Sequence, residues 1–198
     1  MPLDIFVALV LFVFVTSFTP GPNNIMVTAS GVNFGFSRTL PHMAGITIGF
    51  MTLLVVCAAG LGLIFAAAPQ LQIALKIVGG IYMLWLAWKV ANSRVASDSV
   101  GAAATPMTFL QAAAFQWVNP KAVVIGLTGI SVYVRPDHLV IDFLILLTVF
   151  MVFTAATVMT WTGFGVALRG ILRNPKHARI FNIAMALLLV ASIAPMVL

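Results

Sequence analysis

The sequence has no glutamate, four aspartates and one cysteine, and only 7% of its 198 residues are charged. Each shortage excludes something. A single cysteine rules out an intrachain disulfide and a cysteine-cluster metal site; Cys57 lies in an apolar run and reads as a small buried residue. Soluble domains are roughly a quarter charged, so a chain that is 62% hydrophobic, with a mean hydropathy of +1.15, is expected in a lipid bilayer. No carboxylate is expected at membrane depth, because Asp4, Asp137 and Asp142 read as near one surface and Asp98 as part of a linker. A solute with a cationic side chain would find no buried counter-ion there, and proton coupling lacks its usual mid-membrane acid. The formal charge of +6 sits mostly at the ends of apolar segments. That pattern fits membrane topology and argues against a nucleic-acid partner. No cation precedes the first apolar run, Arg38 being the first, so a cleavable leader is not expected.

What is present is a series of long apolar runs. Against the ~20 residues needed to cross a bilayer, they predict an all-α integral membrane protein with six transmembrane helices, at about 3–31, 42–67, 71–90, 107–133, 139–168 and 180–198. The connections on one side carry Arg38, Lys89, Arg94, Arg169, Arg173, Lys176 and Arg179, and the opposite side has Arg135 alone. The positive-inside rule then puts the cation-rich side in the cytoplasm and both termini outside. Three spans per half is an odd number, so the halves, 1–92 and 107–198, enter the membrane from opposite sides. The expectation is one transporter domain of two inverted three-helix repeats, joined by a small polar cytoplasmic linker at 93–106.

Two of the expected spans are broken. The first reads Thr19-Pro20-Gly21-Pro22-Asn23-Asn24 and the fourth reads Asn119-Pro120-Lys121, with Pro22 and Pro120 98 positions apart. Proline removes a backbone donor and clashes with the preceding turn. The groups it frees must face protein or a polar cavity inside hydrocarbon. Matched breaks in two halves are the best sequence pointer to a transporter's substrate site. Pro20 and Pro22 suit the opening turn of a half-helix with Thr19 as its N-cap, and such an N-terminus attracts an anion.

Lys121 is the costliest residue, since a cation at mid-span costs ~2.5–3.5 kcal/mol on insertion scales. A solute carboxylate, or carbonyls freed at a break, would serve as its partner. Gln116 and Asn119 share part of its stretch, and Gln111 fits an interfacial position. The substrate-binding set read from the sequence is therefore Pro20, Gly21, Pro22, Asn23, Asn24, Gln116, Asn119, Pro120 and Lys121. The bland alternatives are a structural kink tied by the asparagines and a lysine snorkelling to the membrane edge. Lys76 reads as snorkelling outward, Gly45 and Gly49 as a close helix contact, and Tyr82, Trp85 and Trp88 as packing or an aromatic belt. His42, His138 and His177 fall near span ends. No metal site or cofactor is expected. A Ser30–His42 pair lacks an oxyanion motif and an orienting acid, so an enzyme is not expected. The partners implied are a small solute bearing a carboxylate and the lipid bilayer, with a homo-oligomer left open. A non-transporting scaffold, an intramembrane enzyme and a passive channel are the rival readings.

Taken with 33–38, the Gly45/Gly49 pair and 76–88, the motifs Pro20-Gly21-Pro22-Asn23 and Asn119-Pro120-Lys121 make the chain resemble the LysE/RhtB family of amino-acid exporters over essentially its whole length. Residues 20–25, 87–89 and 115–119 are most similar to the branch exporting cysteine and O-acetylserine. The resemblance implies a bacterial inner-membrane carrier expelling small neutral amino acids or derivatives, driven by the proton gradient. Family members exporting basic amino acids carry an acid in the second span, near where this chain has Gly49.

Overall fold

The structure is a computed structural model describing residues 1–61, 67, 69–92 and 105–191. Most of the expected linker (93–104), the far ends of the second and sixth spans (62–66 and 192–198) and the Lys76 side chain lie outside the described residues. Every regular element described is helical. In chain order they are α1 (Leu3–Phe18), α2 (Pro22–Phe34), α3 (Phe36–Val56), α4 (Pro69–Ala91), α5 (Phe109–Val118), α6 (Pro120–Tyr133), α7 (Leu139–Leu168) and α8 (Pro175–Ala191). A π turn, Cys57–Leu61, continues α3, and short 3-10 turns precede α7 and α8.

Local chemistry sets the boundaries. Pro22 and Pro120 each occupy a first helical position, where the missing N–H would have had no intrahelical partner. The apolar run through α1 and α2 is therefore bent by 52° at the first break. Gly35, at φ 79°, ends α2 and starts α3. A left-handed residue there favours glycine, and it turns the chain in one residue where the sequence had suggested about ten. Thr108 opens α5 with a capping box: its side chain accepts from the Gln111 N–H at 3.3 Å while the Gln111 side chain accepts from the Thr108 N–H at 3.0 Å. Gln111 thus begins a helix.

Among the described residues, Phe36–Gly60 and Pro136–Leu168 are each long and apolar enough to cross a membrane, and α1 with α2 makes a third if the bent pair is one span. The apolar exterior fits a lipid solvent, with Leu3, Leu110, Val140, Ile180 and Leu187 all largely exposed.

Glycines set the closest approaches. A Cβ on Gly31 would lie 2.4 Å from the Thr162 carbonyl oxygen, and one on Gly165 would lie 2.2 Å from that of Thr28, so α2 and α7 touch backbone to backbone. On α3, Gly45 meets the Phe109 carbonyl and Gly49 meets Ala113 of α5. Both contacts are small-residue crossings of the kind that dispersion and close packing favour in membranes. The pair Gly45/Gly49 was legible as a contact; its partner was not.

α6 runs antiparallel to α1: Lys121 lies at Thr19, while the Tyr133 hydroxyl reaches the Ala8 carbonyl at 3.4 Å. α7 runs beside α1 and α2, pairing Phe150 with Phe12, Phe153 with Phe14 and Trp161 with Thr28. One end of the bundle thus gathers Met1, Arg135 and Asp142. The other gathers Gly35, His42, Lys89 and Arg169.

Asp142 sits at the bundle end shared with Met1 and Arg135. It is fully buried in the first turn of α7, accepting from Arg135 Nε at 2.7 Å and Nη2 at 3.2 Å. An acid suits a helix N-terminus, and the guanidinium fork satisfies both its oxygens. Asp142→Asn is expected to lower the thermal stability of the detergent-solubilised protein clearly more than Asp137→Asn, which alters an exposed acid of the preceding turn. Equal melting temperatures for the two variants would contradict this role.

Candidate functional site

The last four carbonyls of a helix have no intrahelical partners, and at the end of α1 two of them are taken by distant side chains. Asn24 Nδ2 donates to Ser17 O at 3.0 Å and to Thr19 O at 3.1 Å. Lys121 Nζ donates to Thr19 O at 2.7 Å from the other half of the chain. The C-terminus of a helix carries a partial negative charge, so this lysine finds an electrostatic partner where the chain has no carboxylate. Thr19 is not the N-cap of α2. Gly21 is, with extended backbone (φ −163°, ψ 179°), while the Thr19 hydroxyl donates back to Val15 O at 2.6 Å and closes α1.

A second tie joins the halves. Asn23 Nδ2 donates to Gln116 Oε1 at 2.8 Å, and Gln116 Nε2 donates to Asn23 Oδ1 at 3.1 Å. This reciprocal amide pair links α2 to α5 across 93 positions of sequence. The two breaks therefore meet.

Between them lies a cavity of about 60 Å³, lined by Gly21, Pro22, Asn23, Asn24, Gln116, Asn119 and Lys121 among others. Seven of the nine sequence-selected residues are brought to this one space. Pro20 and Pro120 are not among its lining residues; they shape the breaks from outside it. Gly21 leaves room for Lys121, since a Cβ there would lie 3.0 Å from both its Cδ and Nζ and the lysine side chain would have to shift.

Sequence reasoning missed the wall that α7 supplies. Thr154 and Thr157 line the cavity, and the Thr157 hydroxyl is buried without a partner, as is Asn119 Oδ1. The signal was there: two threonines three apart share one face of an otherwise apolar helix. Phe50 of α3 and Phe150 complete the apolar side, packed edge to face with centroids 5.3 Å apart.

The electrostatics favour an anion. α2 and α6 both start at this cavity, and neither has a side-chain N-cap hydrogen bond. Two positive helix ends thus face the space where α1 and α5 present their negative ends, and the Lys121 ammonium tips the balance toward an anion. Lys121 has one acceptor, the Thr19 carbonyl, which leaves two of its three donors for a solute. Asn119 Oδ1 is an unused acceptor and the Thr157 hydroxyl an unused donor or acceptor, able to serve an ammonium group. The arrangement suits a zwitterion.

The Ser30 hydroxyl pairs with Thr39 Oγ1 at 3.0 Å, and neither ring nitrogen of His42 has a partner, so no Ser–His hydrogen bond exists. Among the described residues, no group of His, Cys, Asp or Glu could hold a metal ion.

Apolar helices broken at two converging points around a small polar cavity are the plan of a membrane translocator. The family described as LysE type translocator matches residues 14–194. The chain is 34% identical over 184 residues to the cysteine/O-acetylserine efflux proteins of Escherichia coli (strain K12) and Shigella flexneri, with 90% of each chain covered. The protein of that name from Escherichia coli O1:K1 / APEC is 33% identical over the same length. No solved structure matches. The chain belongs to the LysE-type translocator family: it is a multi-pass membrane transporter and not an enzyme.

Proposed function

We propose that the protein exports small neutral amino acids or close derivatives from the cytoplasm, with cysteine and O-acetylserine the first candidates and homoserine or threonine next, in exchange for protons. The observation that carries this reading is Lys121 beside two uncapped half-helix starts, in a cavity with no carboxylate in its lining. The solute's carboxylate binds at Lys121 and the first turns of α2 and α6. Its ammonium group turns to Asn119 Oδ1 and the Thr157 hydroxyl. The missing acid excludes cationic side chains from the cargo. The names of the curated relatives support the same class of solute.

In this reading the six spans form two inverted repeats in the bacterial inner membrane, with both termini periplasmic. Each half has the same order of elements, a broken pair, a long helix and a further helix, and α6 runs opposite to α1. Alternating access follows from rocking one half against the other, with the Asn23–Gln116 pair and the Lys121–Thr19 bond the contacts that must exchange.

Mass spectrometry of medium from overexpressing cells fed mixed dipeptides tests the function. Small neutral amino acids are expected to accumulate outside, and collapsing the proton gradient is expected to stop it. Unchanged internal pools would leave only a scaffold, and lysine or arginine as the sole exported product would overturn the charge argument.

A further inference from the structure

A second cavity lies between α2, α3, α4 and α5, at the bundle end that carries Lys89 and Arg169. Its volume is about 230 Å³, against about 60 Å³ at the breaks, and the two share no lining residue. Pockets for drug-sized ligands begin at about 300 Å³, so the larger cavity suits a solute of few heavy atoms. By the same measure the cavity at the breaks holds only a few waters. In this conformation the roomy space is not the one at the breaks.

Its mostly apolar walls carry a set of polar side chains. Ser30 and Asn33 come from α2, His42 from α3, Tyr82 and Lys89 from α4, and Gln111 from α5. Two of them are buried with unsatisfied atoms. His42 is 2% exposed and both its ring nitrogens lack partners; Asn33 is 7% exposed and its Oδ1 lacks one, although its Nδ2 donates to Ala29 O at 2.7 Å. Leaving a buried polar group unpaired is costly, and two such residues lining one cavity point to a ligand that completes them.

The unmet needs define the ligand. Asn33 Oδ1 and the unprotonated nitrogen of a neutral imidazole require donors, and the imidazole N–H requires an acceptor. Lys89, at the rim and 5.1 Å from the Trp85 ring centroid, favours an anionic group. One small molecule meets all of these: an α-amino acid, whose ammonium supplies the donors and whose carboxylate supplies the acceptors.

We propose that this chamber is a loading site, binding the same class of small neutral amino acid at the cation-rich end before it moves to the cavity at the breaks. It rests on the export function proposed above and adds a second binding station. Between the two stations stand the Asn23–Gln116 amide pair and the ring of Phe115, which packs on Tyr82 at 5.4 Å.

Equilibrium binding of labelled L-cysteine, kept reduced, to the purified full chain in lipid nanodiscs tests this. The wild-type protein is expected to bind two molecules per chain. The double variant Asn33→Leu, His42→Phe is expected to bind one, as is Lys121→Met, each losing a different site. Lys89→Gln, which alters a rim residue and no buried packing, is expected to weaken one of the two sites about tenfold while leaving the stoichiometry at two. A wild-type stoichiometry of one, abolished by Lys121→Met and unmoved by the chamber variants, overturns the loading site and leaves the break site standing. One site abolished by the double variant and weakened by Lys89→Gln but unmoved by Lys121→Met leaves the chamber and removes the break site. No binding to the wild-type protein overturns both.

Discussion

Lys121→Met is expected to insert at a wild-type level and to lose most export. Methionine fills similar volume without charge, so lodging in the membrane becomes easier, by up to the ~2.5–3.5 kcal/mol that a mid-span cation costs on insertion scales. What it loses is the donor set at the junction of the breaks. A hydrogen bond to a charged group is worth about 1.5–3 kcal/mol, or roughly 10- to 150-fold in export at limiting solute. The Thr19 carbonyl is not stranded, because Asn24 Nδ2 still donates to it at 3.1 Å. The defect should therefore appear in transport rather than in folding. Efflux from preloaded cells, with membrane abundance measured alongside, gives the result. Export within twofold of wild type at equal abundance would remove the lysine from the mechanism.

Gly165→Ala is expected to be the most damaging single methyl addition in α7. The new Cβ would sit 2.2 Å from the Thr28 carbonyl oxygen, a backbone atom that no rotamer change can move. α2 and α7 must separate, which also loosens the Thr28 hydroxyl's 3.2 Å bond to Trp161 O and displaces the Thr154–Thr157 wall from the cavity. Overpacking of this kind costs ~1–3 kcal/mol and sometimes more. Gly163→Ala, two residues away, is the control, since nothing lies within 4 Å of its added methyl. Alanine is the better helix former by about 0.5–1 kcal/mol, so this variant is expected to be as stable as wild type or slightly more so. Thermal unfolding of the two variants in detergent decides it, and equal midpoints would deny the close contact.

The breaks were readable because proline acts locally. Pro22 and Pro120 each remove a backbone donor and, beside glycine or asparagine, favour a new helix start, and the structure begins α2 and α6 at those residues. The fifth apolar run was equally plain, since 139–168 is the extent of α7. The role of Thr19 was misread because capping depends on whether Gly21 is helical or extended, and a glycine's neighbours do not determine that. The burial of Asp142 was not legible for a related reason. Burial of an acid depends on whether a cation folds back over it, and Arg135 does so through the turn between α6 and α7.

The sequence by itself determined that this chain is apolar enough for a bilayer, where its helices break, and that Lys121 has no acid near it in the sequence to pair with. Those properties follow from composition and from backbone chemistry acting within a few residues. Only the tertiary structure decided that Lys121 caps α1, that Asn23 and Gln116 face each other, that α7 supplies threonines to the cavity, and that a larger polar chamber lies at the opposite level of the bundle. Each of these joins residues far apart in the chain. Their meeting is set by which glycines let backbones touch, and pairing of that kind leaves no mark on either segment read alone.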